Sequence, residues 1–253
     1  MQYAFGSGLL WGTPLQDSSG AAITTPSPIL FGTLQDVSID ISFETKTLHG
    51  QNQFPVAVGR GKGKITGKAK YAQITGAMFN SLFFGQTLTT GLIAAQYDTS
   101  GSLIPATPFQ ITVTPPSSGT FSRDFGVIDS NGVPMTRVAA TPAAGQYTVS
   151  ASGEYTFAGA DTGKRVFINY EYTTTNAAAR KSTVQNVPMG YAPTFRADFS
   201  LPYQGKVLTL SLPSCIGGKL GFGAKNDDFS VPEFDFEAFA DASGNVLTWS
   251  TSE

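Results

Sequence analysis

Five cations lie close together in the stretch VGRGKGKITGKAKY, Val58 to Tyr71: Arg60, Lys62, Lys64, Lys68 and Lys70. Ammonium groups set among bare glycine backbone can cradle phosphate, so nucleotide chemistry is the first reading to test. A P-loop needs G-x-x-x-x-G-K-[ST]. Here Gly63 and Gly67 stand one residue too close, and Ala69 replaces the magnesium-binding hydroxyl. The dinucleotide fingerprint G-x-G-x-x-G begins at Gly61 and Gly63 and fails at Thr66. Neither nucleotide motif is present.

Other chemistry is sparse. The chain has one cysteine, Cys215, and one histidine, His49. One cysteine excludes an internal disulfide, and zinc needs more Cys and His ligands than this. His49 has no nucleophile signature near it, and Asp227-Asp228 sits in a Gly-rich stretch that reads as a turn. The sequence therefore assigns no catalytic residue, no cofactor and no metal ligand, and it points away from an enzyme.

The elements that carry the cations are strands. Arg60, Lys62, Lys64, Thr66, Lys68 and Lys70 are all even, while Gly59, Gly61, Gly63, Ile65, Gly67 and Ala69 are odd. Successive side chains of a strand point to opposite faces, so one face is a cationic comb and the other is nearly bare. The glycine load argues against a helix. DVSIDISFE has the opposite comb: Asp36, Asp40 and Glu44 on one face, with Val37, Ile39, Ile41 and Phe43 on the other. PEFDFEAFA repeats it with Glu233, Asp235 and Glu237 against Phe234 and Phe236. Between the first two combs, residues 45–58 read as a long polar connection. QITGAMFNSLFFG predicts a short helix through Ile74, Met78 and Leu82, with Thr75 as cap and Gly85 as stop.

Charged residues make up 13% of the 253, about half the usual roughly 25%, which suits a surface covered by neighbours. The net charge of −2 argues against a general polyanion binder. Residues 1–32 carry Leu9, Leu10, Trp11 and Phe31 without a clean period, and read as an arm that docks on another copy. From about residue 98 to 176, short strands alternate with turn signals such as Asn131-Gly132. They read as a small Ig-like β-sandwich inserted into a scaffold made of residues 1–97 and 177–253. No signal-peptide pattern and no membrane-length apolar run is found, so the expectation is synthesis in the cytoplasm and no membrane partner.

The stretches FGTLQDVSIDISFETKTLHGQNQFPVAVGRGKGKITGKAKYAQITGAMFNSLFFG and PEFDFEAFADASGNVL resemble the major tail (tail tube) proteins of tailed bacteriophages. The middle of the chain looks like a β module that recurs in phage structural proteins. Together these stretches cover about half of the chain. The resemblance implies an all-β scaffold, a tail-tube β-sandwich or barrel with one short flanking helix. It implies homohexameric rings that stack into a tube in the virion, made in the host cytoplasm, contacting other tail proteins and passing double-stranded DNA without specific binding. By position, the 1–32 arm and the 45–58 connection take the bridging roles. A cationic comb bare in such a channel would trap DNA, each contact adding a salt-sensitive attraction. The expectation is that carboxylates of Asp36, Asp40, Glu44, Glu233, Asp235 or Glu237 neutralise it, from the same or an adjacent subunit. The competing reading is a sandwich that recognises host glycans through Tyr147, Tyr155, Tyr170 and Tyr172.

Overall fold

The computed structural model describes residues 3, 5–73 and 75–252. In chain order the first elements are β1 (Leu9–Gln16), β2 (Ile29–Leu30), β3 (Leu34–His49), β4 (Pro55–Tyr71) and α1 (Gly76–Met78). Then come β5 (Thr89–Thr90), β6 (Leu92–Gln96), β7 (Ser102–Leu103), β8 (Gln110–Thr112), β9 (Thr120–Asp129), β10 (Thr136–Arg137), β11 (Gln146–Val149), β12 (Glu154–Phe157), β13 (Arg165–Thr174) and β14 (Arg180–Lys181). The last are β15 (Thr194–Tyr203), β16 (Lys206–Gly221), β17 (Glu233–Ala238) and β18 (Thr248–Thr251). The fold is all-β.

Two compact units divide the chain: Met1–Leu88 with Ser182–Glu253, and Thr89–Lys181. These boundaries differ from the 98–176 read in the sequence because β6 pairs along β13, and β5 pairs with β14. The Leu-Ile-Ala-Ala run of β6 lacks the alternation that marks a half-buried strand.

The first unit is one sheet in the order β2-β1-β15-β16-β17-β4-β3, with β18 also on β16. Its path ends at β2 and at β3, so it stays open, and a single chain does not form the barrel alternative. Period-2 alternation builds the core: Phe195, Ala197 and Phe199 from β15, Phe234 and Phe236 from β17, and Ile65, Ala69 and Tyr71 from β4. Phe195, Phe234 and Phe236 meet at ring-centroid distances of 5.7, 5.8 and 6.0 Å. Each ring removed from water stabilises the fold by roughly 1.5–3 kcal/mol. Gly67 stands under the Phe236 ring, where a methyl group would overlap it; this is the close approach that the bare face of β4 permits.

The flanking helix is a single α turn that continues as a π-helical stretch, Phe79–Phe84. Met78 and Leu82 reach the core, and Gly85 ends the helix at φ 61°, a left-handed value that favours glycine. Thr75 occupies the N-cap position without a side-chain cap bond. Ile74 lies outside the described residues.

In the first unit, the stretch from Leu9 to Phe31, read in the sequence as part of a 1–32 arm, is not a free arm. β1 pairs with β15 from Leu9 to Gln16, and Leu10 and Phe31 belong to the core. Leu9 is exposed and Trp11 half-buried. The burial alternates through Leu10, Gly12 and Pro14, and Gly12 packs on Leu82.

In the second unit, one sheet runs β10-β11-β12-β8; in the other, β13 pairs with β6, β7 and β9. Both sheets feed one core, Tyr147, Tyr155 and Phe157 from the first and Val127, Val166, Ile168 and Tyr170 from the second. At its centre Asp124 accepts hydrogen bonds from the Tyr147 and Tyr155 hydroxyls at 2.8 and 2.9 Å. Burial and this carboxylate raise both phenols above their ordinary range.

Candidate functional site

The three combs lie side by side. β4 is the middle strand, with β3 on one edge and β17 on the other. Asp36 and Glu233 both stand opposite Lys70, Asp235 stands opposite Lys68, and Asp40 and Glu237 both stand opposite Thr66. The result is a row of cations between two rows of carboxylates within one chain.

The ion pairs follow from that register. Lys70 Nζ lies 3.8 Å from Asp36 and Lys64 Nζ lies 3.2 Å from Glu237. Lys68 bonds to Glu233, which also takes Lys219 at 3.0 Å. Lys68 and Lys219 hold the Glu233 carboxyl down at about 2, and Glu233 raises Lys68 in turn. Asp40, Asp235 and Glu237 border a groove of about 290 Å³ with Lys68. One oxygen of Asp235 is shielded there without a hydrogen-bond partner among the described residues. The face bears Lys64, Lys68, Lys70 and Lys219 against Asp36, Asp40, Glu233, Asp235 and Glu237, four cations and five carboxylates.

Arg60 does not belong to this face. The pairing steps from Phe43↔Gly63 to Thr45↔Arg60, with one extra residue on β4. Such a bulge turns the following side chains over. Arg60 therefore shares the face of Thr45 and Phe43, and its guanidinium carbon sits 4.6 Å from the centroid of the Phe43 ring. Lys62 lies in the bulge with no carboxylate within 4.0 Å among the described residues. Glu44 pairs with Lys46 at 3.4 Å and not with the comb.

The second feature is a ribbon. Residues 45–58, read in the sequence as a connection, are strand: β3 runs to His49 and β4 starts at Pro55, joined by residues 50–54. β17 stops pairing at Ile65. Beyond that point β3 and β4 pair only with each other, over about eight residues or roughly 26 Å. Phe43, Leu48, Phe54, Val56 and Val58 are exposed along it and Ile41 at its base, Phe54 at 81% and Val56 at 72%. Among the described residues, the outer edge of β3 has no strand partner along its sixteen residues. A long exposed apolar ribbon with an open edge is a template for another chain.

Other candidates resolve structurally. Tyr147, Tyr155 and Tyr170 are buried core residues and Tyr172 is half-buried against them, so these side chains pack the core of the second unit. Cys215 is buried, and burial pushes its thiol up to about 12, which makes it a poor nucleophile. Asp228 accepts the backbone N–H of Phe229 at 2.8 Å in an exposed turn. His49 is exposed at the end of β3. Among the described residues no group of three or more His, Cys, Asp or Glu side chains is placed to hold a metal ion, and no helix is long and apolar enough to cross a membrane.

No family model matches the chain, and no curated protein matches it.

The sequence shows the charge combs because they keep period 2. It hides the ribbon, whose apolar positions are broken by two bulges, at Phe43/Thr45 and Leu48/His49. The signal available was the run Gly59, Gly61, Gly63, which marks a strand that can bulge cheaply.

Proposed function

We propose that this chain is a self-assembling structural protein of the phage tail-tube kind. Copies join in rings of six, and the rings stack into a hollow tube in the virion that conducts double-stranded DNA. The observation that carries the reading is the β3–β4 ribbon. It holds five large apolar side chains in water, with Ile41 at its base, an arrangement that assembly relieves.

The comb face supports the same reading. A channel wall must not trap phosphates, since log affinity for DNA falls with salt in proportion to the number of cation–phosphate contacts. Here Lys64, Lys68 and Lys70 each have a carboxylate within 4.0 Å in their own chain. The resemblance of residues 31–85 and 232–247 to tail tube proteins supports it as well. DNA then slides past without specific binding, and other tail proteins cap the tube.

Sedimentation across a concentration series tests the proposal. Wild type grows into large species as concentration rises. A chain with residues 44–62 replaced by a two-residue turn keeps its core and loses those species. Wild type that sediments as a monomer throughout overturns the reading.

A further inference from the structure

The ribbon and the loop from Phe222 to Pro232, between β16 and β17, occupy opposite ends of the same sheet. β17 begins at Glu233 opposite Lys70, and the Tyr71 N–H bonds to the Pro232 carbonyl. The loop therefore sits where β4 ends, while the ribbon projects where β4 begins. Gly63 to Lys70 alone spans roughly 23 Å. A contact between the two cannot form within one chain, and between chains it is heterologous, so it can repeat from copy to copy.

The two surfaces match chemically. The ribbon offers Val56 and Val58 beside Arg60 and Lys62, cations with no carboxylate within 4.0 Å among the described residues. The loop offers Phe222 and Phe229, the latter 89% exposed, beside Asp227 and Asp228. No cation lies within 4.0 Å of either Asp side chain among the described residues. With Lys225 counted, the loop is net acidic beside its apolar groups, and with the Glu44–Lys46 pair counted, the ribbon at the other end of the sheet is net basic beside its own. Such complementarity sets register and partner choice more than raw affinity.

We infer that the ribbon of one copy seats on the 222–232 loop of the next, Arg60 and Lys62 meeting Asp227 and Asp228. This rests on the self-assembly reading and names its axial contact. The occupant is a second copy of this chain.

Two charge reversals test it: R60E/K62E, and D227K/D228K. Alone, each carries like charges on both surfaces, and the sedimenting fraction falls at least tenfold. Mixed in equal amounts they regain it, because each ribbon now finds an opposite loop. Melting temperatures confirm that both variants fold. Wild type needs no substitution for a second readout: a zero-length carbodiimide joins the Lys62 amine to Asp227 or Asp228, and the linked peptides are found by mass spectrometry. Reversal variants that assemble like wild type overturn the inference alone. So does a mixture that stays unassembled together with no Lys62–Asp227 or Lys62–Asp228 link. Wild type that never assembles overturns the self-assembly reading and this contact with it.

Discussion

Lys68 bonds not to Asp235, which stands directly across from it, but to Glu233, two positions away along β17. Lys64 makes the same diagonal step to Glu237. Diagonal neighbours on a sheet lie within reach of long side chains. Among the described residues, the repeated offset leaves Asp235 without an ion pair and gives Glu233 two lysines, since Lys219 also reaches it.

That relationship predicts a pH dependence. The Glu233 carboxyl is held down from an ordinary 4.5 to about 2, first by Lys68 and then by Lys219. A depressed carboxyl contributes stability that is present above its unfolded value and lost as pH falls through the folded one. Thermal melts should therefore lose a Glu233-dependent increment between about pH 4.5 and 2. In Glu233→Gln that increment is absent at every pH. A wild-type and variant pair with parallel melting curves across this window contradicts the shared-carboxylate arrangement.

Gly67 and Gly59 make a matched pair. A methyl at Gly67 overlaps Phe236, while nothing lies within 4 Å of one at Gly59. Gly67→Ala should cost about 1–3 kcal/mol, the usual penalty of overpacking a core, and Gly59→Ala should change little. Denaturant midpoints of the two variants check it, and equal midpoints contradict the packing.

Leu10 is 1% exposed in the core of the first unit. Leu10→Ala should destabilise by about 2–5 kcal/mol, as buried leucine truncations do, and a chain starting at residue 17 should fail to fold. A truncated chain with a cooperative melt near that of wild type shows that β1 is dispensable.

The second unit carries its own core and its own polar centre at Asp124. Replacing residues 89–181 with a short Gly/Ser linker should leave assembly intact, giving thinner tubes with an unchanged axial repeat. Electron microscopy measures both quantities. A replaced chain that folds and forms no tubes makes this unit part of the assembly machinery.

Much of this architecture was legible in the residues. The strands carrying Asp36 to Phe43 and Glu233 to Ala238 keep strict period 2, and their polar and apolar faces fall where alternation puts them. β1 was not legible, because its buried positions are Leu10, Gly12 and Pro14, and neither Gly nor Pro marks a core face by hydropathy. Arg60 was misplaced for a different reason. Parity predicts a face only while the pairing is regular, and one extra residue among the glycines of β4 reverses it. The 89–181 boundary depended on β5 and β6 finding partners some eighty residues away, a pairing that no local pattern announces.

The central claim is that copies of this chain build a hollow tube of stacked rings. Electron microscopy of the concentrated protein tests it most directly. The account predicts tubes with a regular axial repeat, an open channel and six subunits in each ring. Dispersed single subunits at every concentration, in a sample that melts cooperatively, would contradict it.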